Sequence, residues 1–263
     1  MIKKIFTTAY SSAESEIKAS SKPDYKVILI CITVAFSLTM IKYLGDFKFM
    51  LSFLHNAGFT GLSDSFEDLC TINKNAELYR LLYWVSTVIF FYLIPPVILI
   101  KFVFKEKFSS YGLNLKGAFA DYKIYLLMLC VMIPLVLFFS RTESFQARYP
   151  FYNIAKGESF YPNLVIWELF YFIQFFALEF FFRGFMLHGT KQRFGYYSVF
   201  VMTIPYCMIH FGKPLPETIA AIIAGIVLGT LSLKSRSIWL GVAIHYSVAI
   251  TMDLCSMWQK GVL

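Results

Sequence analysis

Charged residues are scarce in this chain. Asp, Glu, Lys and Arg make up only 15% of its 263 residues, against about a quarter in an average soluble domain. Set beside a hydrophobic content of 58%, that scarcity argues against a soluble fold. The five cysteines make no metal-ligand or redox spacing: Cys31, Cys130, Cys207 and Cys255 fall in apolar blocks and Cys70 stands alone. They read as small buried hydrophobes. Lys3 and Lys4 are not followed by the apolar core of a signal peptide, so the first apolar span must serve for insertion. No internal repeat is found, and no soluble domain stands apart. The net charge of +8 would suit nucleic acid, yet the lysines and arginines lie between hydrophobic blocks, where membrane topology explains them. No basic stripe with stacking aromatics exists, which sets nucleic acid aside as a partner.

What the chain does have is long apolar blocks. They define an all-α, polytopic membrane protein, read as a single membrane domain over residues 1–263. About seven transmembrane helices around an interior polar cavity are expected. The spans are 25–44, 79–104, 122–140, 164–188, 196–211, a sixth helix opened by Pro216 and Glu217 and closed by Lys234 and Arg236, and 238–258. Pro95-Pro96 predicts a kink in the second span. Residues 1–24 form a polar leader. The loop from Gly45 to Leu78 leans acidic, and Phe47 to Leu54 within it is too short to cross and suits the interface. On the sixth helix Ala221, Gly225 and Gly229 recur every four residues, a small-residue face that admits a close neighbour. Lys/Arg-rich connectors alternate with acidic or mixed ones, which predicts a cytoplasmic N-terminus and a C-terminus across the membrane.

Residues 164–258 carry the chemistry. Ala177-Leu178-Glu179-Phe180-Phe181-Phe182-Arg183-Gly184 places an acid and a base four residues apart in an apolar run, on one face of a helix. Such groups at membrane depth usually face a protein interior or a wet cavity. A structural ion pair is the plain alternative. His210 and His245 lie in or at the edge of later spans, and each alone would read as an interhelical hydrogen bond. Four such residues in successive spans are hard to explain as packing. A buried carboxylate can take a proton from water, and a neutral imidazole can orient that water or donate to an oxyanion. At 1.5 Å per residue, Glu179 lies ~15 Å from a helix end at Thr190 and His245 ~10–12 Å from Ser237, but His210 lies ~21 Å from Tyr196. The third depth fits poorly with the other two. Glu168, eleven residues before Glu179, is about 16 Å away and too far to act as a second base. Zinc needs three or four ligands; Glu179, His210 and His245 could supply three, but no HExxH pair fixes two of them on one helix. The expected state is without cofactor.

Glu179-Phe-Phe-Phe-Arg183-Gly184, then Tyr206-Cys-Met-Ile-His210, then His245-Tyr-Ser-Val-Ala249 resemble the three motifs of the CPBP family, the CAAX-type prenyl-protein endopeptidases and their bacterial relatives linked to bacteriocin processing and immunity. Those motifs read EExxxR, FxxxH and HxxxN or HxxxD. The resemblance covers roughly Leu164 to Asp253. It implies an intramembrane endopeptidase in which Glu179 activates water, His210 and His245 assist and Arg183 holds the carboxylate. The implied partners are a membrane-associated or lipidated protein or peptide substrate and the bilayer itself. Three departures stand out. Leu178 replaces the first Glu, Tyr206 replaces Phe and adds a hydroxyl, and Ala249 replaces the Asn, which leaves Asp253 one turn further on as a supporting candidate. A catalytically silent member acting as a membrane scaffold or immunity factor is the second reading. A proton-coupled transporter is the third, against which the spans show no duplicated halves.

Overall fold

The computed structural model describes residues 2–17, 23–154, 157 and 159–263. Its described elements are all helical: α1 (Ile2–Glu14), α2 (Tyr25–Leu44), α3 (Phe47–Asn56), α4 (Thr60–Thr71), α5 (Ala76–Ile98), α6 (Tyr122–Phe139), α7 (Glu143–Gln146), α8 (Asn163–Glu179), α9 (Gly189–Phe194), α10 (Ser198–Met208), α11 (Leu215–Ser235) and α12 (Trp239–Gln259). Among the described residues, six helical stretches are long and apolar enough to cross a membrane: Tyr25–Leu44, Ala76–Val103, Tyr122–Phe139, Asn163–Met208, Leu215–Ser235 and Trp239–Gln259. The chain is a multi-pass membrane protein.

Against the expected seven or so spans, the fourth and fifth lie within a single stretch. The segment expected to cross separately continues from the fourth as one 46-residue stretch, Asn163–Met208. Within it the backbone breaks at Gly195, where φ is 53°, and α10 folds back so that Phe182 and Tyr206 meet edge to face at 5.4 Å. α10 has 11 residues, about 16 Å of rise, and the turn through His210 and Gly212 carries the chain on to Glu217. The expected kink at Pro95-Pro96 is not a break. α5 runs through both prolines and widens afterwards into a π-helical turn, Leu99–Val103. The acidic loop after α2 is a helical hairpin, α3 and α4, with apolar Phe47–Leu54 inside α3. The leader is helical over Ile2–Glu14 and contributes Ile5 to a core cluster with Tyr125, Leu228, Leu231 and Ile244.

Contacts sort the connections into two poles. At one, Lys26 pairs with Glu106 at 2.7 Å, Lys191 and Arg236 with Glu16 at 2.9 and 3.0 Å, and Lys234 with Asp121 at 2.6 Å. Leu113 and Ser237 form a single antiparallel bridge there. At the other, Lys213 pairs with Glu217 at 2.7 Å, Tyr149 donates to Glu217 at 2.8 Å, and Asn153 donates to Glu77 at 2.9 Å. The exposed apolar side chains of α2, α6 and the outer faces of α5 and α8 suit lipid contact.

The centre of the bundle is the stretch after α8. Every residue from Ala177 to Thr190 is buried, and a helix apolar all round belongs inside. Here the helix widens to a π-helix over Phe180–His188. Such bulges cluster at functional sites. Its aromatic rings pack outward in several directions: Phe181 on Tyr92 at 4.6 Å, Phe182 on Tyr206, and Phe185 on Tyr111 at 6.4 Å.

Candidate active site

Glu179 closes α8, and Arg183 follows inside the π-helical segment. Both are fully buried. Arg183 Nη1 lies 3.1 Å from Glu179 Oε1, and the guanidinium sits 3.8 Å from the centre of the Tyr206 ring. Ionic attraction and the ring's negative face together offset the charge that burial would otherwise leave exposed to a low-dielectric interior.

α12 brings His245 to the same carboxylate. Its Nδ1 is 2.9 Å from Glu179 Oε1. With the carboxylate accepting, Nδ1 carries the proton and Nε2 becomes the ring's acceptor. Nε2 faces the Tyr206 hydroxyl at 3.5 Å. The His245 ring also packs on Phe175 at 4.7 Å, and its side chain keeps 16% of its surface. It is therefore the one member of the Glu179–Arg183–His245 cluster reached from outside the core.

Among the described residues Glu179 Oε2, which is buried, has no hydrogen-bond partner. It rests against Gly241, where a Cβ would come within 2.6 Å. Gly241 lies one turn before His245 on α12, so the same helix face supplies the imidazole and the space for the carboxylate. The sequence reading passed over Gly241. Its signal is the spacing to His245, but only the packing of α12 on α8 shows what the glycine makes room for.

His210 stands in the turn after α10. Its Nδ1 is 2.9 Å from the Tyr206 carbonyl, which can only accept, so Nδ1 donates and Nε2 is left as an acceptor. Thr218 donates to the His210 carbonyl at 3.0 Å. The rings of His210 and His245 lie on Tyr206 at 4.9 and 6.2 Å, so Tyr206 links the two imidazoles. The Tyr206 ring thus lies between the two imidazoles. Its placement also accounts for the awkward depth of His210, which belongs to the far end of α10 with the ring of Tyr206 interposed.

The remaining candidates lie elsewhere. Asp253 is buried two turns beyond His245 and takes the Phe151 amide at 3.4 Å. Glu168 accepts from the Tyr246 hydroxyl at 3.1 Å. Leu178, at the position of the first family Glu, is packed in the main apolar core. Ala249, at the Asn position, is packed among Trp167, Tyr171 and Phe175. Among the described residues no group of three or more His, Cys, Asp or Glu stands together as a metal-ligand set. Glu179 and His245 meet through a hydrogen bond between Nδ1 and Oε1.

A polytopic helical bundle enclosing a Glu–His–Arg cluster is the class that fold and geometry define. A family model described as Type II CAAX prenyl endopeptidase Rce1-like matches residues 160–251, a stretch that begins just before α8 and ends inside α12. That match supports a protease at the family level over this part of the chain. No curated protein and no solved structure matches.

Proposed function

We propose that this protein is an intramembrane endopeptidase that hydrolyses a peptide bond of a membrane-associated or lipidated protein. The observation that carries the reading is the hydrogen bond between Glu179 and His245, deep in a membrane bundle and inside the family-matched stretch. In the proposed step Glu179 takes the proton of a water through Oε2, the oxygen without a partner. Arg183 and the His245 Nδ1–H hold the other oxygen. The water oxygen attacks the scissile carbonyl carbon, and its proton passes to the leaving amine as the C–N bond breaks. In this reading a peptide approaches beside His245, the member of the cluster that keeps exposed surface. His210 assists from the far side of Tyr206. Glu179, Arg183, His210 and His245 are the proposed catalytic set, with Tyr206 in support. We place the pole of Lys26 and Lys234 in the cytoplasm, where lysine and arginine connectors are retained.

One observation favours a second reading. Glu179 and Arg183 have no exposed surface, and Leu178 and Ala249 are ordinary core residues. Those features suit a silent family member that binds a partner's transmembrane segment. Purified protein in vesicles separates the two when it is given a mixture of membrane-anchored and lipidated peptides and read by mass spectrometry. New C-termini support the peptidase. Stable retention of intact peptide, with no product after prolonged incubation, supports the scaffold and refutes the peptidase.

A further inference from the structure

Where α5 ends, Lys101, Lys105, Lys107, Glu106 and Phe108 line a concavity of about 440 Å³. The carboxylate in this wall is already engaged. Glu106 accepts Lys26 Nζ at 2.7 Å and the Tyr111 hydroxyl at 2.5 Å. Burial, and then the neighbouring carboxylate, push the Tyr111 phenol well above its ordinary range, so it stays a donor to Glu106. By contrast, Lys101, Lys105 and Lys107 are exposed, and among the described residues no carboxylate pairs with any of them. Three ammonium groups and one engaged carboxylate thus line one hollow, and among the described residues none of the three lysines is ion-paired. The backbone contributes to the arrangement. The Glu106 amide donates to the Ile100 carbonyl at 3.0 Å, closing the π-helical end of the span, and Lys105 takes a left-handed φ of 55°, unusual for a residue with a side chain.

The position limits what can fill such a hollow. Lys101 still belongs to the membrane-spanning stretch Ala76–Val103, and Phe108 gives the hollow an apolar wall. A ligand with a negative head and an apolar body fits both features. Lysines just outside a span attract anionic headgroups at the bilayer surface. We propose that Lys101, Lys105 and Lys107 form a binding site for the phosphate headgroup of an anionic phospholipid. The site is separate from the Glu179 cluster and does not depend on the peptidase reading.

The test uses the full-length protein extracted from mixed phosphatidylcholine and phosphatidylglycerol vesicles, with the co-purifying lipid quantified. The proposal expects phosphatidylglycerol to be enriched over its share of the bilayer. Lys101→Gln, Lys105→Gln and Lys107→Gln each lower its affinity about fivefold, and the triple variant on the order of a hundredfold. The three side chains are exposed and, among the described residues, not ion-paired, so an unchanged melting curve should accompany the loss. Removing the same charge at the other pole with Lys42→Gln, Lys48→Gln and Lys74→Gln leaves the enrichment in place. Equal loss in that control would overturn the site in favour of general charge attraction. Inorganic phosphate or glycerol 3-phosphate should not strip the lipid. Displacement by either at millimolar concentration, with binding of the free anion, would make soluble phosphate the ligand and refute the lipid proposal.

Discussion

Arg183 has no exposed surface, so its charge depends on what lies beside it. Its neighbours are Glu179 Oε1 at 3.1 Å and the Tyr206 ring at 3.8 Å. Removing one partner of a buried pair leaves the other charge uncompensated and costs about 3–5 kcal/mol. Glu179→Gln therefore destabilises the fold to some degree, though its amide oxygen still faces the guanidinium. Arg183→Ala removes the charge and a large buried side chain together, and should lower stability by several kcal/mol. Denaturant unfolding in detergent measures this, and a change below about 0.5 kcal/mol would show that the pair is not the anchor described. Gly241→Ala makes a sharper prediction. The added Cβ meets Glu179 Oε2 at 2.6 Å and must turn the carboxylate. Hydrolysis should fall by at least about tenfold, since small misplacements of reacting groups cost that and more, while the melting temperature moves little. A fully active Gly241→Ala would remove Oε2 from the mechanism. Glu179, Arg183 and His245 were legible from the sequence because ionisable residues in apolar spans are conspicuous. Gly241 was not, because a glycine in a membrane helix has many uses and only its neighbour distinguishes them.

At the scale of elements, the small-residue face on α11 is the clearest case of spacing that became packing. A Cβ at Gly225 would lie 2.8 Å from Thr203 Cγ2 and 3.2 Å from Tyr206 Cδ1, and one at Gly229 3.1 Å from Met202 and Val199. α10 therefore lies directly on α11 with nothing between, and this contact positions Tyr206. Gly225→Leu should overpack the contact, with a cost of about 1–3 kcal/mol or more and loss of monodisperse protein on size exclusion. Parent-like stability in detergent would contradict the packing described. The π-helical segment was not legible. Phe180-Phe181-Phe182 lies in a run with no polar face, so no periodicity distinguishes a wider helix from an α-helix. The length of α10 was hidden for a related reason. Tyr196 to Phe211 has the hydropathy of a span, but the helix proper is closed by the break at Gly195 and by the turn through His210 and Gly212, where φ is 87°.

For the whole molecule, the connectors follow the charge pattern of the sequence. The segment around Lys116 shares its pole with Asp121 and Lys234, and Glu217 shares the opposite one with Tyr149 and Lys213. Reporter fusions after Lys116 and after Glu217 should report opposite sides of the membrane, with Lys116 cytoplasmic. Both on one side would refute the two-pole arrangement. The leader, read from the sequence as polar, forms a helix that is held by packing, with Ile5 and Ala9 buried against the rest of the bundle. The central claim is that Glu179 drives peptide hydrolysis, and the cleavage rate of Glu179→Gln in vesicles tests it most directly. On a substrate that the parent cleaves, the variant should be slower by about 10²–10⁴-fold, the contribution of a positioned base, while still binding the peptide. A rate equal to that of the parent would contradict the account.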